Sequence, residues 1–141
     1  LGPEPLSSAF STKVFAETLA PLRAPIKNTL LDQRRVAGVG NIYASEALYK
    51  AGIDPRRPAG TLDEEEIRRL RDAIRFILSA ALNKSGTTIR NYRALNGHSG
   101  SFQNDLRVYG RAGGRCRRCS GTVERTTQAG RSSFFCPNCQ H

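Results

Sequence analysis

The four cysteines of this 141-residue chain fall into one pattern: Cys116-x2-Cys119, sixteen residues, then Cys136-x2-Cys139. Two tight loops joined by a short hairpin let four thiolates converge on one tetrahedral ion at roughly 2.3 Å per bond. The spacing therefore predicts a single structural Zn2+. Two disulfides are a rival account, but they suit secreted chains, and no signal peptide is visible. An iron–sulfur cluster is a second rival. Between the pairs, Thr122–Thr126 and Ser132–Phe135 read as strands, with Gln128-Ala129-Gly130 as their turn. Only Gln140 and His141 follow the last cysteine, so zinc is expected to replace an apolar core that so small a module lacks. Arg131 follows the turn glycine and is expected to ride out on the hairpin. A lone arginine at a hairpin tip is more often a solvated charge, yet its planar guanidinium suits a phosphate.

A second stretch, Ala24 to Gly52, carries two amphipathic runs, Ile26–Gln33 and Asn41–Lys50, around the glycine-bearing connection 34–40. Pro25 suits a first helical position, where a missing N–H is no loss. Ile42, Ala44, Ala47 and Leu48 give the second run a helical stripe, and Gly52 is placed to end it. Asn41 sits where an N-cap belongs, so its side chain and the free N–H groups behind it can face a phosphate. Gly38 and Gly40 allow the backbone to approach closely. On spacing alone, an ordinary helical hairpin with a capped second helix fits equally well.

The remaining segments read as scaffold and linker. Ser11 or Thr12 can cap a short helix carrying Val14, Phe15, Thr18, Leu19 and Leu22 at helical spacing. Thr61 to Glu64 has the form of a capping box opening the longest helix, with Ile67, Leu70, Ile74, Ile77, Leu78, Ala81 and Leu82 on one face. Asp63, Glu64, Glu65 and Glu66 crowd its positive end; consecutive residues cannot face one another on a helix, so a solvated terminus is expected rather than a metal site. Residues 86–110 form a glycine-bearing loop with interleaved aromatics, long enough to be functional or disordered. Within it His98 has no second ligand in sight and reads as exposed. Charge is uneven. The chain has 4 lysines, 18 arginines and a formal net charge of +10; residues 1–82 hold 12 basic and 10 acidic groups, residues 83–141 hold 10 and 2. An arginine-biased basic half points to a nucleic-acid partner. No apolar run reaches membrane-spanning length. With no methionine and a proline-bearing opening, Leu1 to Leu6, the chain is expected to be the C-terminal piece of a longer protein.

The wording of three segments resembles the formamidopyrimidine-DNA glycosylase family: IK-x-x-LLDQ followed by AGVGNIYASEAL at Ile26–Leu48, GRSSFFCPNCQ at Gly130–Gln140, and the opening LGPEPL. The resemblance implies a mainly α fold, a helical bundle containing a helix–two-turn–helix motif followed by a small β-hairpin zinc finger. It divides the chain into a linker at 1–8, a DNA-binding domain at 9–110 with a lesion-capping loop near 85–105, and a four-cysteine finger at 111–141. Lys27 and Asn41 would grip the DNA backbone beside the lesion, with Gly40 behind them and Arg23 as a further contact. Thr87, Thr88, Arg90 and Tyr92 resemble the lesion-capping loop. Arg131 would both hold DNA and donate the proton of the second strand-cleavage step. Arg115, Ser120 and Ser85 depart from the common pattern without removing a ligand or a contact.

The implied partner is double-stranded damaged DNA, met by a monomeric, non-membrane protein of the bacterial cytoplasm, associated with the nucleoid. The implied activity is removal of oxidised purines, 8-oxoguanine and formamidopyrimidines, with β/δ-elimination of the strand. A non-catalytic damaged-DNA-binding module is the alternative, as is an endonuclease VIII-like enzyme for oxidised pyrimidines. The family's nucleophile is an N-terminal proline followed by a glutamate acid, and neither is present here. The isolated chain is therefore expected to bind abasic or lesion-bearing DNA without cutting it.

Overall fold

A computed structural model describes residues 1–85 and 106–141. The expected lesion-capping loop, with Thr87, Thr88, Arg90 and Tyr92, lies outside the described residues, as does His98. Among the described residues the order is α1 (Thr12–Leu19), α2 (Ile26–Leu31), α3 (Asn41–Ala51), a 3-10 turn (Ala59–Thr61), α4 (Glu64–Ser85), β1 (Glu124–Gln128) and β2 (Arg131–Phe135).

Local chemistry explains most of these boundaries. The Ser11 hydroxyl accepts the Val14 N–H and opens α1. Gly52 closes α3 in the left-handed region at φ 75°, which favours glycine. Three expectations need correcting. The capping box of α4 is Asp63 with Glu66, not Thr61 with Glu64: the Asp63 carboxylate accepts the Glu66 N–H at 2.8 Å, and Glu66 accepts the Asp63 N–H at 2.9 Å. The Thr61 hydroxyl instead donates back to the Pro58 carbonyl. Nor is the acidic cluster simply solvated, because Glu66 also holds the Arg57 guanidinium through both oxygens, at 2.6 and 3.0 Å. The third correction concerns Asn41. Gly40 is the N-cap of α3, extended at φ −90° and ψ 175°, and Asn41 is the first helical residue, its side chain turned away from the helix end.

The main core gathers Phe10, Phe15, Leu19, Ile26, Leu30, Leu48, Leu70 and Ile74, all essentially inaccessible to water. Burial of such side chains is worth roughly 1.5–3 kcal/mol each. Helix α3 lies at the centre of the molecule, and Tyr43 through Tyr49 are all buried. One side of it meets the α4 core, and the other meets the hairpin. The proline-bearing opening is tied down: the Gly2 N–H donates to the Gln33 carbonyl, Ala37 N–H to Pro3, and Arg75 to Pro5. Gly2 runs so close to the α2–α3 connection that a Cβ there would lie 2.4 Å from the Arg35 carbonyl.

The hairpin is shifted relative to expectation. Gln128 pairs with Arg131, leaving Ala129 and Gly130 as a two-residue turn with φ of 50° and 78°. Paired positive φ values match the right-handed twist of the strands and select a short polar or glycine-bearing turn. Thr122 does not join β1; it bridges Arg115 across the first cysteine loop. The module also has more apolar substance than expected, with Val123 and Phe134 buried beside Cys116 and Cys136. Two members of that cluster, Tyr49 and Val108, come from outside the span between the first cysteine and the last residue.

Candidate nucleic-acid interface and metal centre

The four cysteine sulfurs all lie within 4.8 Å of one another. Cys116 and Cys139 are 3.9 Å apart, and Cys119 and Cys136 are 3.5 Å apart. A disulfide needs about 2.05 Å, so these are free thiols. Sulfurs at about 2.3 Å from a tetrahedral ion stand about 3.8 Å from each other, and the observed separations bracket that value. The donor set and its spacing fit one structural Zn2+ held by Cys116, Cys119, Cys136 and Cys139. Bound there, the ion supplies cross-linking rather than reaction chemistry, since all four positions are taken by protein sulfur.

Above this centre, the hairpin meets the two helices of the 24–52 stretch at one lysine. Lys27, on α2, is completely buried. Its ammonium donates to Asn41 Oδ1 at 2.5 Å, to the Ser132 carbonyl at 3.1 Å and to Ser133 Oγ at 2.7 Å. Asn41, on α3, uses its amide to donate to the same Ser132 carbonyl at 3.1 Å, and it reaches the Tyr109 hydroxyl at 3.4 Å. All three acceptors of Lys27 are neutral, and no carboxylate among the described residues pairs with it. Burial, and beside it the charge of Arg131, pull its ammonium down from 10.5 to about 8. Arg131 itself is exposed at the first position of β2. Two cations thus share one corner with no paired carboxylate among the described residues, an arrangement that an external anion would relieve.

A buried carboxylate holds the third edge of this corner. Glu46, on α3, accepts the N–H groups of Arg107, Val108 and Tyr109 at 2.7, 3.0 and 2.9 Å. Three successive amides on one carboxylate fix the 107–109 segment and with it the Tyr109 ring, which packs edge-on against Phe134 at 4.8 Å.

The structure thus brings Lys27, Gly40, Asn41 and Arg131 to one place, and the four cysteines to another. Arg23 is exposed and makes no hydrogen bond to the cluster. Residues that sequence reading did not single out are Glu46, Tyr109, Ser132 and Ser133. Glu46 carried a signal, being the one charged side chain in an otherwise small and apolar helical run, Ile42–Tyr49. The serines carried none, because one contributes a main-chain carbonyl and the other an ordinary hydroxyl.

Comparison with known proteins accounts for both regions. Residues 1–93 match the family model described as the formamidopyrimidine-DNA glycosylase H2TH domain, and residues 113–141 match a zinc finger found in FPG and IleRS. A formamidopyrimidine-DNA glycosylase of Paracoccus denitrificans is 53% identical over 99% of this chain and 50% of its own length. One from Desulfitobacterium hafniense is 50% identical over 99% of this chain and 51% of its own length. Among solved structures, the MutM (Fpg) protein of Thermus thermophilus superposes with a TM-score of 0.87 at 48% identity, covering 99% of this chain and 53% of that one. The Lactococcus lactis Fpg in complex with abasic-site DNA gives 0.87 at 43% identity, over 100% and 52%. The chain spans about half the length of the relatives it matches.

Proposed function

The chain belongs to the formamidopyrimidine-DNA glycosylase family, and from that membership we propose that it is the DNA-gripping half of a base-excision-repair glycosylase and abasic-site lyase. Its partner is double-stranded DNA carrying an oxidised purine or an abasic site. The observation that carries this reading is Lys27, a buried cation with neutral acceptors, set beside Arg131 with no carboxylate for either among the described residues. Among the described residues no carboxylate pairs with either cation, and a DNA phosphate would do so from outside.

In the proposed complex a phosphate next to the extruded nucleotide lies between Lys27 and Arg131. One ammonium hydrogen leaves an internal acceptor and turns to the phosphate, while Asn41 keeps hold of the Ser132 carbonyl and hence of β2. Gly40 lets the backbone at the head of α3 come within reach of the strand, and Arg23 adds a peripheral contact. Thr87, Thr88, Arg90 and Tyr92 are assigned to covering the flipped base, and Arg131 to proton donation in the second elimination as well as to binding. Lesion excision itself needs a neutral amine at the sugar C1′, and the family places that amine and its glutamate in the other half of the protein. The division into a linker at 1–8, a mainly α helix–two-turn–helix domain at 9–110 and a finger at 111–141 follows the same membership. A monomeric state and a place in the bacterial cytoplasm, at the nucleoid, are part of the same proposal; no helix among the described residues is long and apolar enough to cross a membrane.

A salt series of binding to duplex DNA with one abasic-site analogue tests the reading. Lys27→Ala and Arg131→Ala should each weaken binding across sequences and reduce the salt slope by about 1. Wild-type affinity and slope in both variants would refute the assignment.

A further inference from the structure

The metal centre is not finished by its own module. Tyr49 lies in the last turns of α3, is 3% exposed, and places its hydroxyl 3.2 Å from Cys116 Sγ, a residue 67 positions away. A buried hydroxyl without a partner is costly, and this one has the cysteine sulfur within reach. With zinc bound, Cys116 is a thiolate and can only accept, so the Tyr49 O–H must be the donor. The same sulfur receives the Arg118 N–H at 3.4 Å. The Arg118 guanidinium in turn lies over the Tyr49 ring, 4.3 Å from its centre. The first cysteine loop therefore closes around a side chain belonging to the helix–two-turn–helix unit.

We propose that Tyr49 is a hydrogen-bond donor to the zinc ligand Cys116, so that helix α3 sets part of the affinity and reactivity of the metal centre. The chemistry is general. A hydrogen bond withdraws electron density from a metal-bound thiolate, lowers its nucleophilicity, and fixes the direction of its lone pairs toward the ion. Here the donor sits on the element that also carries Asn41 and Glu46, so docking of the hairpin and retention of the metal become one event. A hairpin lifted from α3 would present Cys116 as a bare thiolate, open to chelators and electrophiles.

The test uses the zinc-loaded protein with Tyr49→Phe, which removes one oxygen and keeps the ring under Arg118. Competition against a chromogenic chelator should show zinc affinity lowered about 10- to 100-fold. In the cobalt-substituted protein, the sulfur-to-metal charge-transfer band should move to lower energy, because the thiolate becomes more electron-rich. Alkylation mapped by peptide analysis should accelerate at Cys116. Unchanged affinity overturns the proposal. A lowered affinity with an unmoved charge-transfer band also overturns it, because the loss would then come from packing rather than from the hydrogen bond.

Discussion

In the helical unit, Phe10, Phe15, Leu19, Leu30, Leu48, Leu70 and Ile74 bury one another, and order follows from apolar area. The hairpin unit has Val123 and Phe134 for the same purpose, and it makes up the difference with four thiolates and with side chains lent by α3. Tyr49 enters its small core, Glu46 holds its approach segment, and Asn41 and Lys27 hold β2 through Ser132 and Ser133. The C-terminal pair adds two more ties: Gln140 links the Cys136 N–H to the Ile53 carbonyl, and the His141 N–H donates to the Gly52 carbonyl. One unit has an extensive apolar core of its own, and the other is docked on it. The corner shared by Lys27, Asn41 and Arg131 lies on the seam between them, so its geometry depends on the weaker partner.

The most direct way to break that asymmetry is to remove the metal. Chelation, or Cys136→Ser, should unfold the hairpin and abolish binding to damaged DNA, while the far-ultraviolet helical signal stays largely intact. Structural zinc contributes roughly 10 kcal/mol or more in small finger peptides, far beyond what the Val123–Phe134 cluster replaces. A metal-free protein that still binds abasic DNA would show the hairpin to be self-sufficient after all.

Glu46→Ala should come next in size. It strands the N–H groups of Arg107, Val108 and Tyr109 without their carboxylate, at a cost of about 3 kcal/mol in denaturant unfolding. It should also loosen Tyr109 from Asn41, so DNA affinity falls although no phosphate contact has been removed. If stability drops and affinity does not, the 107–109 segment does not position the corner.

Asn41→Ala sharpens the comparison at smaller scale. Were Asn41 a helix cap, its loss would cost about 1 kcal/mol and leave DNA affinity intact. Because its side chain instead serves Lys27 and the Ser132 carbonyl, the expected result couples the two: a similar loss of stability together with weaker binding and little change in salt slope.

Much of this was legible in the sequence, for identifiable reasons. The cysteine spacing, the Gly52 stop and the apolar periodicity of α4 are local signals, and each names its own structure. Asn41 reads as the cap, one residue out, because a polar residue after glycine looks like one, and only the tertiary contact with Lys27 shows where its side chain goes. The capping box moved to Asp63 and Glu66 because two overlapping hydroxyl- or carboxylate-led patterns compete there, and Arg57 rewards the one that places Glu66 toward it. The resemblance makes Lys27 a DNA contact and says nothing of its burial. Its burial under β2 could not be foreseen, because the acceptors lie 105 and 106 residues away and one of them is main chain.

That burial yields the most specific prediction. Lys27 has an ordinary value of 10.5 and is held near 8 in the folded protein by burial and then by Arg131. Below about pH 8 both folded and unfolded chains carry the proton, and the cost of the buried ammonium is fully present. Between about 8 and 10.5 the unfolded chain binds more protons than the folded one, so this residue's contribution to stability should rise with pH across that window. Affinity for DNA should move the other way. A phosphate needs the ammonium charged, so binding above about pH 8 must first restore the proton, and affinity should fall by at most tenfold per pH unit. Denaturant unfolding and abasic-DNA binding, each measured from pH 7 to 10 for wild type and Lys27→Ala, separate this residue from every other titration. The difference between the two proteins should show stability rising while affinity falls. Parallel or flat difference curves would mean that Lys27 keeps its proton throughout, and that the hairpin and helices enclose it less completely than its contacts with Ser132 and Ser133 imply.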